Sequence, residues 1–347
     1  METRTDILEL PSDLYSRNII ISEGIKKFKK DRGLERIRVL DLGGRNGKLS
    51  LFLDAEDELA LLDRREGDEE NLIAGDATNM QFGDDSFDVV TSGDVFEHIP
   101  PDRRDRFIRE ALRVSSGLVI VAAPFADGQN EYAERVVNGY YKRLTGTDHE
   151  WLAEHIENGL PSAGDLESFF RSERVGYSQC KSNNTDNWMI LQSLIFYFVH
   201  FTAFQKNDEV LRSFFRTYNE NIASIEDEAA DCYRRIYFIA KNGEFDYSFP
   251  YVFDRKAKID LIDEAFIVLA EAAEAMTAEF VSLHGHIRQQ TDAIHTLENQ
   301  LREAYRDVLK AQNAAKRQEQ VILTMRASKF WQAREALARI VSFARRR

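Results

Sequence analysis

Four short apolar runs, IRVLDL, ELALLD, FDVVTS and GLVIVAAP, lie between Ile37 and Phe125, separated by helical or turn segments. Runs of this length without polar alternation suit strands buried on both faces, so the pattern predicts a parallel α/β sheet with helices on both faces. Ahead of it, Ser12 offers an N-cap, and Leu14, Ile19, Ile20, Ile25 and Phe28 offer an apolar face. This predicts a lead-in helix within residues 1–36, with no visible chemistry of its own. Residues 126–172 read as mainly helical, with a loop at Gly159-Leu160-Pro161, and CYRRIYFIA reads as a further strand. Residues 37–252 therefore make one α/β domain.

Two stretches depart from this pattern. No residue from Asn187 to Gln205 is charged, and its length approaches the roughly 20 residues of a membrane span. Gln192, Ser193, His200 and Gln205 interrupt it, and a helix apolar all round is expected in a core or an interface. Beyond Val252 there is no proline and only one glycine, Gly285. With Ile259 as position a, the a positions run Ile259, Phe266, Ala273, Phe280, Ile287, Ile294, Leu301, Val308, Ala315, Ile322, and only Gln290 and Gln318 break the apolar d series. An unbroken register of this length predicts a coiled-coil stalk over 253–327 and a homo-dimer or homo-trimer. Residues 328–347 pair an apolar stripe (Phe330, Trp331, Leu337, Ile340, Val341, Ala344) with Lys329, Arg334, Arg339 and Arg345 to Arg347. A basic amphipathic helix of this kind lies on anionic membrane surfaces.

Composition narrows the choice of partners. A chain of 347 residues that is 43% hydrophobic and 30% charged can build a core, and its net charge of −13 argues against general affinity for nucleic acid. No nucleic-acid partner is expected. Two cysteines and a start without a basic or apolar leader point to a reducing cytoplasm. With the basic tail, the expected location is cytoplasmic and peripheral at the inner membrane.

The chemistry begins at Val39-Leu40-Asp41-Leu42-Gly43-Gly44-Arg45-Asn46-Gly47, an apolar strand, an acidic residue and a glycine-rich turn leading to an expected helix, KLSLFL. Glycines allow close backbone approach to a ligand, although a tight connection or a dinucleotide site uses similar sequences. The downstream spacing decides. Asp63 ends the second strand sixteen residues after Gly47, where its carboxylate can accept both hydroxyls of a ribose. Asp76 and Ala77 form an acidic turn suited to an adenine amino group and ring nitrogen, and Gly93 to Pro100, with Asp94, follow the strand FDVVTS. These positions lie where open α/β sheets bind ligands, and the G-x-G-x-x-G fingerprint is absent.

Residues 37–125 resemble the class I S-adenosylmethionine-dependent methyltransferases, with VLDLG, GDA and FDVV followed by EHI. The resemblance implies S-adenosylmethionine as cofactor. It places Asp41, Gly43, Gly44 and Gly47 around the methionine part and ribose, Asp63 on the ribose, Asp76 and Ala77 on adenine, and Asp94 among the cofactor contacts. Arg45 departs from the family, which has a middle glycine there. HEWLAEHIENGLP is similar to methyltransferases of bacterial surface-polysaccharide (O-antigen) clusters, which implies a glycan or lipid-linked glycan as acceptor. A sugar hydroxyl needs help in losing its proton, for which His98, His149 and His155 are the candidates, and Tyr132, Tyr140, Tyr141 and Trp151 could stack on sugar rings. No metal ligands are assigned. A soluble metabolite or lipid as acceptor, and a non-catalytic scaffold or length-setting spacer, are the alternatives.

Overall fold

The structure is a computed structural model that describes residues 6–69, 71–200, 205–225, 231–252 and 254–344. Helix α1 (Ser12–Arg32) is followed by strands β1 (Arg38–Leu42), β2 (Glu58–Asp63), β3 (Leu72–Ala74) and β4 (Phe87–Gly93). Then come α2 (Arg104–Val114), β5 (Ser115–Pro124), α3 (Asn130–Thr145), α4 (Glu150–Asn158), α5 (Ala163–Glu173), β6 (Gly176–Asn184), α6 (Thr185–His200), α7 (Gln205–Glu220), α8 (Ile222–Ile225) and β7 (Cys232–Ala240). The chain ends in α9 (Arg255–Ala327) and α10 (Lys329–Ala344).

The seven strands form one sheet in the order β3-β2-β1-β4-β5-β7-β6. The four runs read from the sequence, β1, β2, β4 and β5, pair in parallel as expected, and the sheet is mixed because β7 runs antiparallel to both β5 and β6. An apolar run such as CYRRIYFIA reports burial and carries no mark of strand direction. Both faces are covered, as expected. Along β5, Leu118, Ile120 and Ala122 join Ile20, Ile21, Ile25 and Phe28 of α1 in one cluster, while Val119, Val121 and Ala123 join Phe107, Ile108 and Ala111 of α2 in the other. The sheet alternation of period two thus sends neighbouring residues to opposite layers. On the α1 side the fit is tight at glycine: a Cβ on Gly24 would lie 2.3 Å from the Phe238 ring.

Four local expectations are revised. Ser12 is the first residue of α1, after Pro11, and gives no side-chain cap. KLSLFL forms only a three-residue 3-10 turn, Leu49–Leu51, where a helix was expected. The short β3 falls in a segment that reads from sequence as a turn alone. Finally, α1 is no mere lead-in, since it packs in the core and reaches the site described below.

The apolar stretch from Asn187 forms most of α6, where Trp188, Leu191, Phe196 and Phe198 are buried, and Trp188 stacks on Tyr233 at 3.7 Å. Residues 201–204 lie outside the described residues. Among those described, no helix is long and apolar enough to cross a membrane.

The chain divides into two units, Met1–Glu274 and Ala275–Arg347. In the second, α9 carries apolar side chains largely in solvent: Leu283, Ile287, Ile294, Leu297, Leu301 and Ile322, all at a or d positions, are more than half exposed. Ser328 interrupts the helix and accepts a hydrogen bond from the Trp331 amide at the start of α10. Arg345 to Arg347 of the expected tail lie outside the described residues.

Candidate active site

The glycine-rich turn after β1 is built around Asp41. Its carboxylate is buried and accepts a hydrogen bond from Thr91 Oγ1 of β4 at 2.8 Å. Burial pushes its pKa up to about 6, against the opposing pull of the Thr91 hydrogen bond and the Arg17 charge. Gly43 takes φ +70°, and a Cβ there would lie 2.2 Å from Val95. A Cβ on Gly44 would come within 2.6 Å of Asp41 Oδ2. The absent side chains let the turn pack directly against Val95, Leu61 and the Asp41 carboxylate. Gly47 closes the turn by donating to the Gly44 carbonyl, and its own carbonyl accepts from Asn18 of α1. Arg45 extends away toward the loop after β2, with Nε 3.2 Å from where a Cβ on Gly67 would stand.

Asp63 stands half-buried at the end of β2, its Oδ1 accepting from the Arg65 amide. Asp76 is exposed, and its Oδ1 binds both the amide and the hydroxyl of Thr78, which with the Thr78 amide foremost holds its pKa below the usual range. Ala77 is half-buried next to it. Asp94, in a left-handed conformation after β4, is different in kind. Arg234 of β7 grips it through two bonds of 2.7 Å, and Arg17 of α1 pairs with the same carboxylate. Despite burial, these guanidiniums hold Asp94 well below the ordinary carboxylate range. With both its oxygens engaged by arginine, Asp94 serves here as the anchor joining α1, β4 and β7.

The histidines fall into two groups. His98, in the 3-10 turn Phe96–His98, and His155, in α4, face each other with their Nε2 atoms 3.1 Å apart. Behind them, His98 Nδ1 meets Glu154 Oε2 at 2.8 Å and His155 Nδ1 meets Glu134 Oε1 at 2.8 Å. Tyr233 donates to the same Glu134 oxygen. Glu97 completes the cluster: its side chain is 1% exposed, Oε1 lies 4.0 Å from His155 Nε2, and Oε2 has no hydrogen-bond partner among the described residues. Burial, reinforced by the Asp94 charge, raises the Glu97 pKa. Burial also works against charge on His155, but the Glu134 hydrogen bond and Glu97 outweigh it, so its pKa is raised. Burial and then the neighbouring His155 lower that of His98. His149 sits apart, among the rings of Tyr141, Trp151 and Phe196. Of the aromatics proposed to stack on sugars, Tyr132 and Trp151 are exposed, while Tyr140 and Tyr141 pack against the core.

Glu97, Glu134, Glu154, Arg17, Arg234 and Tyr233 escape the sequence reading. For two of them a signal exists: the triplet Glu-His-Ile occurs at 97–99 and again at 154–156. The fold crosses the two copies, setting Glu154 against His98 and Glu97 near His155.

Residues 39–121 match the protein family described as a methyltransferase domain. Comparison with curated proteins finds no match. Among solved structures, the chain is similar to a SAM-dependent methyltransferase from Archaeoglobus fulgidus (14% identity, 63% of this chain and 94% of that one, TM-score 0.37). It is also similar to the YcgJ protein of Bacillus subtilis (15% identity, 64% and 99%, TM-score 0.35). The matched segment, residues 39–121 of the first unit, is thus a methyltransferase domain, which implies S-adenosylmethionine as cofactor. The glycine turn beside Asp41, Asp63 at the end of β2 and Asp76 two residues after β3 are the groups available to hold that cofactor.

Proposed function

We propose that the domain methylates a hydroxyl group of a glycan, carried on a lipid, at an anionic membrane surface. When bound, S-adenosylmethionine supplies a methyl group already activated on a sulfonium, so the protein's task is to align the acceptor and to remove its proton. The observation that carries the reading is the largely buried cluster that joins Glu97 and His98, in the turn after β4, to His155 of α4. An amine acceptor that arrives neutral has no need of such a group, whereas a hydroxyl does. His98, at 18% side-chain exposure, is the member of the cluster open to an acceptor. In the transfer, the carbon–sulfur bond breaks as the carbon–oxygen bond forms, and the hydroxyl proton passes to the cluster.

The lipid part of the proposal draws on a groove of about 760 Å³ between α3 and α6. Tyr140, Met189, Leu194 and Tyr197 give it apolar walls, and Arg135 and Arg143 give it positive charge suited to a lipid phosphate. The exposed apolar a and d positions of the second unit support self-association, and Phe330, 81% exposed among basic residues, supports contact with lipid.

Full-length protein incubated with labelled S-adenosylmethionine and lipid-linked glycans should place label in the glycan fraction. Replacing His98 or His155 with Ala should reduce turnover at unchanged cofactor affinity. Label confined to water-soluble metabolites would overturn the glycan acceptor.

A further inference from the structure

The cluster after β4 has a geometry that its hydrogen bonds leave unfinished. Each imidazole turns Nδ1 to a carboxylate, Glu154 for His98 and Glu134 for His155, and each therefore presents Nε2 inward. A carboxylate behind the far ring nitrogen is the arrangement that fixes the tautomer of a metal-bound histidine and increases its basicity. Glu134 is itself fixed by the Tyr233 hydroxyl, so the support extends one layer further. The two inward nitrogens are 3.1 Å apart. Two nitrogens each about 2.0–2.1 Å from one ion, at an angle near tetrahedral, stand roughly 3.3 Å apart. The spacing suits a shared ion with little movement of either ring.

Glu97 supplies the second, independent observation. Its carboxylate is 1% exposed, yet Oε2 has no partner among the described residues, a costly state for a buried polar atom unless something else satisfies it. One ligand atom each from Glu97, His98 and His155 lies within 4.8 Å of the others. We propose that Glu97, His98 and His155 form a site for a divalent transition-metal ion of the zinc class, oriented by Glu134 and Glu154. Two imidazoles and one carboxylate select this class over magnesium and calcium, which prefer all-oxygen shells. Three protein ligands leave at least one coordination position for an oxygen of a bound molecule, the pattern of a catalytic and not a structural site. That oxygen would be the acceptor hydroxyl; this role rests on the function proposed above, while the binding of the ion does not.

The test uses tag-free, full-length protein stripped with a chelator and titrated with Co²⁺, followed by Zn²⁺ in competition. One equivalent per chain should bind, with visible cobalt absorption that zinc abolishes. His98→Ala and His155→Ala should lose that equivalent, and Glu134→Gln, altering a positioning residue, should weaken it about 10- to 100-fold. The histidines of α9, His284, His286 and His295, are the competing ligands, and their joint replacement by Ala should leave the equivalent intact. Should the alanine variants not fold, Glu97→Gln, which keeps side-chain volume, decides by the same titration. Absence of the equivalent in wild type, or its persistence in folded variants of the cluster, overturns the site. Metal uptake is read without acceptor, so a protein that binds cobalt but labels no glycan defeats only the acceptor, and the converse defeats only the metal.

Discussion

At the residue scale, the carboxylates at the ends of β1 and β2 have different roles, and each makes its own prediction. Asp63 is half-buried and retains accessible carboxylate surface. Removing it would leave ribose hydroxyls unpaired at about 1–3 kcal/mol each. Calorimetry should therefore show at least tenfold weaker cofactor binding by Asp63→Ala, at an unchanged melting temperature. Asp41 is buried, and its pKa stands near 6 in the fold. In an unfolded chain it would be about 3.9, so the unfolded state gives up the proton first as pH rises. Its contribution to stability is thus present below pH 4 and lost as pH climbs to 6, a change on the order of 3 kcal/mol. Denaturant titrations from pH 4 to 6 should show this fall in wild type relative to Asp41→Asn, and parallel curves for the two proteins would contradict the burial argument.

At the scale of elements, one side chain ties three together. Asn130, at the start of α3, donates to the Phe125 carbonyl beyond β5 and the Cys232 carbonyl of β7, and accepts from Thr185 at the start of α6. All of these groups are buried, so Asn130→Ala should lower unfolding free energy by about 2–5 kcal/mol, measured by chemical denaturation. The sequence could not announce this residue, because a lone asparagine near a loop has no periodicity. The apolar strands could be read, since burial on both faces leaves a continuous run, and so could the glycine turn, whose geometry few other residues tolerate. The direction of β7, the 3-10 turn in place of a helix after Gly47 and the ion pairs of Asp94 were illegible, because each depends on partners more than 50 residues away or on a local compromise. Arg17 shows the difference well. Within α1 it reads as one more solvated charge, yet β4 and β7 bring Asp94 and a second arginine to it, and there it is 7% exposed.

For the whole molecule, the long helix and the basic tail make separable predictions. Since a and d side chains of the second unit stand in solvent, a chain ended after Met325 should keep the oligomeric state of the full protein in sedimentation, while one ended after Phe253 should be a monomer. Only the full chain should sediment with anionic vesicles, by an avidity on the order of a hundredfold over a single tail. A full-length monomer indifferent to such vesicles would refute both expectations. The place of β7 has a consequence for biosynthesis. It is the last strand to leave the ribosome and yet it lies inside the sheet, between β5 and β6. Until Ala240 emerges, β6 lacks its neighbour, Asp94 lacks Arg234, and the Glu134 beside His155 lacks the Tyr233 hydroxyl. Five strands, β3-β2-β1-β4-β5, can pair before then, so the nascent chain holds β5 as an open edge until β7 and β6 close the sheet, while the segment that becomes α9 is still being translated.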